Sequence, residues 1–466
     1  MTDDMTAWRP APSNCPGLYR IVPAKDGGVC RIRMPLGLVS SGQGRAIAEA
    51  ARLFGNGEIE ITNRANFQLR GVRPEAEQAL IGFLRATSVA PDQPSTDDIR
   101  NVMISPTAGI DPTELLDVRP LAEAVLDRLM TTEAFRGLSP KFCLLIDGGG
   151  QVAVMDHPHD IWLAAVRRQD GEVMLRLGLA GIPDMNRNDD TQRLIAPGNC
   201  VEVVTALIGL FLDLAAERGS EVTRFRHLTG ELGAAGLLDL LEMRLGHRLL
   251  RPAETVLAPR SALLPLGHVG IHDQRQAGRV FIGGVPFVGR LDPLRLAQLA
   301  DLVDRFSEGR LRLTPWQSIM LTNVPRGDAD AAVACLEAIG LACDTAHPAA
   351  TLMACSGSAG CVKAAADTRQ HAAQLAAALA GQERGHQTVH LSGCSRSCAM
   401  PGMADVTLLA VSPDAYDVYR RIEPVTNDPV SGKFGQLCAA AVPIRQVPDL
   451  LASFAAGQAC PSHQEK

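Results

Sequence analysis

Apolar positions along the chain fall into short alternating runs and helical stripes, and one such succession of patterns occurs twice. From Val29 to Val72 it is an apolar strand, a helix with Ile47, Ala50, Ala51 and Phe54 at helical spacing, and two short strands around a polar turn. From Val280 to Val324 the same order returns, with Leu296, Leu299, Leu302 and Phe306 on the helix. Gly57 and Gly309 mark the helix-to-strand turn, and Thr62 and Thr314 close the following strand at matched positions. Self-similarity at so long a period signals a duplication, and it predicts two α+β units that pair into one pseudo-symmetric body.

Outside the repeats the pattern is mixed. Residues from about 96 to 250 read as α/β, and the Pro- and Ala-rich connector RPAETVLAPRSALLPLG follows as a boundary. Beyond Thr351 an Ala-rich helix is expected from about Ala364 to Ala380 and an apolar strand around Val406 to Val411. The expected division is therefore 15–95, 96–255, 266–350 pairing with the first unit, and 351–460. The apolar run from Val203 toward Leu214 is broken by Thr205, Gly209 and Asp213, which predicts a buried helix and no membrane span.

Composition narrows the class. Of 466 residues, 46% are hydrophobic and 21% charged, the balance of a globular protein. A net charge of −6 argues against a nucleic-acid partner, which needs a basic surface. The acidic start MTDDMTAWRPAPSN lacks the order of a secretory signal, so the expected compartment is cytoplasmic. Thiols stay reduced there, so the twelve cysteines are not expected as disulfides, and clustered ones suggest metal or redox chemistry. With neither G-x-G-x-x-G nor a phosphate-binding loop in sight, electrons are expected from an external donor, a reductase or ferredoxin.

ACSGSAGC and GCSRSC supply the cluster. Five residues separate Cys355 from Cys361 and three separate Cys394 from Cys398, with 32 residues between the pairs. Four thiolates match the four irons of a [4Fe–4S] cube, and small residues from Ser356 to Gly360 let the backbone wrap close to it. Zinc is the rival ligand, although its sites commonly use tighter pairs, and buried structural thiols are the plainer alternative. The other cysteines, at 15, 30, 143, 200, 335, 343, 438 and 460, lack such spacing and read as small packing residues.

Together, the duplicated unit, TNRANFQLRG, DDIRNV, PKF and the four-cysteine pattern resemble the sulfite and nitrite reductase family, in order and across nearly the whole chain. Within it, CPGLYRIVPAKDGGVCRIRMPLG, TNRANFQLRGV and RLTPWQ are most similar to the precorrin-3B synthases of aerobic cobalamin biosynthesis. The resemblance implies an α+β fold of duplicated ferredoxin-like half-domains plus two α/β domains. It also implies a [4Fe–4S] cluster, with siroheme or a mononuclear iron as a further centre, and Cys398 as the thiolate nearest a tetrapyrrole. Thr62, Arg64 and Gln68 match its tetrapyrrole-contacting motif; they alternate along an expected strand, with Asn66 on the same face. Arg31, Arg100 and Lys141 match three of four basic residues around its bound oxyanion, and guanidinium groups suit carboxylates.

Two departures separate this chain from the reductases. Cys143 stands where they carry a second lysine, and Ser395, Arg396 and Ser397 replace Pro-Asn-Gly between the last two cysteines, where Arg396 can meet a ligand carboxylate. DHPHD, Asp156 to Asp160, offers two histidines and two carboxylates to a mononuclear iron, or is a plain polar loop. The implied activity is oxygen-dependent hydroxylation of precorrin-3A with lactone formation, so that precorrin-3A and dioxygen are the expected partners. A siroheme-dependent sulfite or nitrite reductase is the first alternative, and a non-catalytic tetrapyrrole-binding or electron-carrier protein the second.

Overall fold

The computed structural model describes residues 13–183, 190–251, 257–258, 260–382, 386–421, 431–458 and 460. Part of the connector after Arg251 and most of the acidic N-terminal stretch lie outside the described residues.

Each repeat forms a β-sheet backed by helices, and the two exchange strands. Val22–Ala24, Gly27–Ile32, Phe67–Val72 and Ile59–Ile61 pair antiparallel, and Arg290–Leu291 of the second repeat adds the fifth strand. Reciprocally, Leu38–Ser40 of the first repeat completes the sheet of Gly270–Asp273, Arg279–Pro286, Ile319–Pro325 and Arg310–Leu313. Helices Ser41–Phe54 and Pro293–Phe306 carry the apolar stripes expected of them, and one continuous core holds both. Ser40 caps the first through a reciprocal pair of hydrogen bonds with Gln43, and Asp292 caps the second at Arg295 N, each worth about 1 kcal/mol.

The first sheet shows why alternation matters. Cys30, Ile32, Ile59, Ile61, Phe67 and Leu69 are fully buried in that core, at about 2 kcal/mol for each large side chain. The residues between them, Arg31, Glu58, Glu60, Gln68 and Arg70, face the opposite way and form a charged face.

The remaining two sheets are copies of one plan. In the first, Val102–Ile104, Leu144–Asp147 and His159–Arg167 run parallel, then Val173–Gly181 and Asp190–Ile195 return antiparallel. In the second, Leu352–Ala354, Val389–Ser392 and Val406–Ala410 run parallel, then Ala415–Arg420 and Gln436–Pro443 return antiparallel. A helix, Arg119–Thr131 or Thr368–Leu379, joins the first two strands of each. The duplication thus extends past the segments whose sequences still look alike.

Three expectations need correction. The Ala-rich helix starts at Thr368, because the Asp367 carboxylate accepts from Arg369 N and Gln370 N and caps it there. Cys438 and Cys460 form a disulfide, with Cα atoms 4.8 Å apart, since the helix Val447–Ala455 turns the chain back onto the last strand. His159 and Asp160 are not loop residues: they open a buried strand. The run through Val203 and Leu214 is the helix Cys200–Arg218; residues 197–218 are long and apolar enough to cross a membrane, yet here eight helix residues sit in the core of the first α/β sheet.

Candidate cluster and tetrapyrrole site

Two parallel neighbouring strands, Leu352–Ala354 and Val389–Ser392, end at the same edge of their sheet. Cys355 directly follows the first and Cys394 lies two residues beyond the second, so both cysteine pairs are delivered to one place. Gly393 N donates to Cys355 Sγ at 3.2 Å, and the Thr368 hydroxyl lies 3.5 Å from the same sulfur. Desolvation of the Cys398 sulfur, then the charges of Cys355, Cys394 and Cys361, raise its pKa, against the pull of Arg396. The four sulfurs therefore share one electrostatic neighbourhood. Among the described residues, no three Cys, His, Asp or Glu side chains converge as ligands of a single ion would.

The wrapping loop is tight. Gly357 has φ +62°, and a Cβ there would meet Thr368 N at 2.7 Å; a Cβ at Gly360 would lie 2.7 Å from an Arg70 guanidinium nitrogen. Close backbone wrapping, an N–H aimed at sulfur and the charges of the other three cysteines felt at Cys398 fit an iron–sulfur cube.

Thr62 to Asn66 is a hairpin turn and not a strand, which corrects the expected single face. Thr62 Oγ1 accepts from Arg64 N and Asn66 N, Thr62 N donates to Asn66 O at 2.8 Å, and Ala65 adopts φ +51°. The turn lies beside the cluster: Asn63, which the sequence did not single out, donates from Nδ2 to Cys398 O at 2.9 Å. Arg64, Asn66, Arg100 and Cys143 line a small cavity of about 10 Å³, with room for about one water.

Two of the expected side chains are engaged internally. Asn66 Oδ1 accepts from Met34 N, and Gln68 accepts from Arg31 while donating to Glu60 at 2.6 Å. The buried Nε of Arg31 and that of Arg100 have no hydrogen-bond partner among the described residues. Burial, then the charges of Arg33 and Arg64, push Arg31 down to about 10. Arg100 leans on Asp97, which also holds the buried Arg33. Lys141 is exposed and does not line the cavity, and Arg396 is exposed beside the cluster loop.

The DHPHD segment does not assemble an iron site. Asp160 is spent on the Arg224 guanidinium at 2.8 Å and on the backbone N–H groups of Phe225 and Cys143. Asp156 binds His157 Nδ1 at 2.7 Å and Trp316 Nε1 at 3.3 Å. Burial, and then the charge of Arg64, push His159 well below its ordinary value, so it is a neutral imidazole beside that guanidinium.

Comparison with known proteins agrees with this architecture. The nitrite/sulfite reductase ferredoxin-like half domain matches residues 22–86 and 272–339, and the nitrite and sulphite reductase 4Fe-4S domain matches 95–249. The latter match falls on the first α/β copy, whereas the cysteine quartet is in the second. A precorrin-3B synthase of Sinorhizobium sp is 30% identical over 402 residues, covering 86% of this chain and 81% of its own. A ferredoxin–nitrite reductase of Synechococcus elongatus is 29% identical over 417 residues, covering 86% and 77%. The solved NirA protein of Mycobacterium tuberculosis superposes with a TM-score of 0.76 at 23% identity, covering 94% of this chain and 82% of that one, and so shares the fold. The chain belongs to the nitrite and sulfite reductase family of oxidoreductases, and a [4Fe–4S] cluster is among its cofactors.

Proposed function

We propose that this member is a precorrin-3B synthase, a monooxygenase that hydroxylates precorrin-3A and closes a lactone with an acetate arm. The observation that carries this reading is Cys143. Its buried thiol lines the small cavity with Arg64 and Arg100 where the resembling reductases carry a lysine, and Lys141 stays at the surface. Burial raises the thiol's pKa despite Arg64 and Arg224, so it is neutral and adds nothing to the field a small anion needs.

The chain's own groups are assigned as follows. Cys355, Cys361, Cys394 and Cys398 hold the cluster, which supplies single electrons. Arg31, Arg64 and Arg100 orient the carboxylate arms of the macrocycle, and Thr62 shapes the turn that presents Arg64. Val362, 81% exposed beside Cys361, and the neighbouring Lys363 offer the external donor a landing point close to the metal. With Asp160 held by Arg224, and Asp156 by His157 and Trp316, siroheme would be the group that supplies oxygen activation.

Anaerobically purified protein given precorrin-3A, dioxygen and a reduced ferredoxin is expected to yield a product one oxygen atom heavier by mass spectrometry. Cys143→Lys is expected to strengthen nitrite or sulfite binding about tenfold while weakening that turnover. Intense Soret bands together with nitrite or sulfite reduction by the unaltered protein, and no product from precorrin-3A, would establish the reductase reading instead.

A further inference from the structure

The charged face of the first sheet runs from the tetrapyrrole side to the cluster loop. Arg31, Gln68, Glu60 and Arg290 are successive cross-strand neighbours on four adjacent strands, and they are linked: Arg31 donates to Gln68, Gln68 to Glu60, and Arg290 to Glu60. Arg70, two residues beyond Gln68 and 3% exposed, makes the turn into the cluster domain. The Nε–Nη2 edge of its guanidinium is forked on Asp26 at 2.7 and 2.6 Å, and Nη1 reaches Glu60 at 3.5 Å. Nη1 also donates to Ser356 Oγ at 3.1 Å and Nη2 to Gly360 O at 3.0 Å, the residues next to Cys355 and Cys361. Arg369 of the cluster domain returns to Glu60 at 2.7 Å.

The other half of the molecule supplies a control. There Arg312, which stands two residues before Thr314 as Glu60 stands two before Thr62, holds the matching loop by donating to Pro106 O and Ala108 O at 2.9 and 2.8 Å. In that half the arginine meets the loop through carbonyl oxygens. Around Arg70, by contrast, three cations (Arg70, Arg290 and Arg369) interlock with Asp26, Glu58 and Glu60. Burial alone would raise the Glu60 carboxyl, but these guanidiniums hold it below its ordinary value, so it is a carboxylate.

We propose that Arg70 is a positioning residue for the cluster and that, balanced by Glu60, it sets the cluster's reduction potential, with Gln68 tying that balance to Arg31 on the tetrapyrrole side. The physical reason is direct. Reduction adds negative charge to the cube, which a nearby buried cation favours and a nearby carboxylate opposes. The inference rests on the four cysteines carrying the cluster.

The test compares Arg70→Met, Arg70→Lys and Glu60→Gln as full-length, anaerobically reconstituted protein. Iron and acid-labile sulfide are assayed and the midpoint potential is followed by EPR. Arg70→Met is expected to shift the potential downward and to lower iron content about twofold. Glu60→Gln is expected to shift it upward. Arg70→Lys is expected to restore much of the potential but not the retention, because a point charge cannot make the fork. An unchanged potential in Glu60→Gln, or shifts of the same sign in Arg70→Met and Glu60→Gln, overturns the proposal; if Arg70→Met loses its cluster, Glu60→Gln still decides it. Unaltered protein that binds no iron and sulfide removes the cluster assignment itself, and this inference with it.

Discussion

The turn at Thr62–Asn66 and the turn at Thr314–Ser318 have the same backbone and opposite contents. In both, a threonine Oγ1 accepts from the N–H groups two and four residues on, the threonine N donates to the last carbonyl, and the fourth residue has positive φ, Ala65 at +51° and Gln317 at +58°. The third residue is Arg64 in one and Trp316 in the other. Arg64 stands among cations and a buried thiol beside Cys398; Trp316 stacks on His268 at 4.8 Å and donates to Asp156. The two α/β sheets repeat the lesson: where one chain segment leaves its first strand with Ser105 and Thr107 hydrogen-bonded to each other, the other leaves with Cys355. Duplication preserved the hydrogen-bonded frame, and the side chains set on it decide which half does chemistry.

The sharpest contrast lies between the sheets. Cys394→Ser is expected to abolish the four-iron cluster, because a hydroxyl is a poor substitute for thiolate; Ser105→Ala, at the first-strand exit of the other sheet, is expected to leave iron and sulfide unchanged and to cost about 1 kcal/mol of stability. Iron analysis and thermal melts read the two outcomes. A cluster retained by Cys394→Ser would break the division of labour.

Between the turns, Arg64→Ala is expected to weaken binding of a carboxylate-bearing tetrapyrrole by about 2 kcal/mol, roughly thirtyfold, with little change in melting. Trp316→Ala is expected to do the reverse, at about 2 kcal/mol of stability with binding intact, since it removes a half-buried ring from the His268 stack. Titration followed by absorbance, paired with denaturant unfolding, distinguishes them. Equal losses of binding would mean that the second turn also carries ligand.

The smallest effect tests what the halves share. Thr62→Val and Thr314→Val each strip an acceptor from two backbone N–H groups and are expected to cost about the same, on the order of 1 kcal/mol. A much larger cost on one side, in chemical denaturation, would show that the frames have diverged after all.

Much of this was legible in the sequence, for stated reasons. Helical stripes at Ile47–Phe54 and Leu296–Phe306 and the alternation in their flanking strands are local, so the duplicated units were readable. The cysteine quartet was readable because two tight pairs of one reactive residue type are rare. The second duplication, of the α/β sheets, was not: strand order and polarity survive there without similar residues, and only backbone pairing records them. Thr62–Asn66 was misplaced on a strand because alternating polar residues look extended until hydrogen bonds from a threonine side chain bend the chain. Arg70 did not stand out in the sequence, since its partners Asp26, Ser356 and Gly360 are remote along the chain. Cys438 and Cys460 were set aside by an argument about compartment that says nothing of which residues a fold brings side by side.

The amino-acid sequence by itself determined the elements, the pairing of two related units and the chemical type of the four clustered donors, because each depends on periodicity or on residue identity within a short window. Tertiary structure alone decided that strands are exchanged between the repeats, that Asp160 belongs to Arg224, and that Arg31 connects through Gln68 and Glu60 to the loop of the cluster cysteines. Those are contacts between distant segments, and their energies depend on distance and burial, which exist only once the chain has closed on itself.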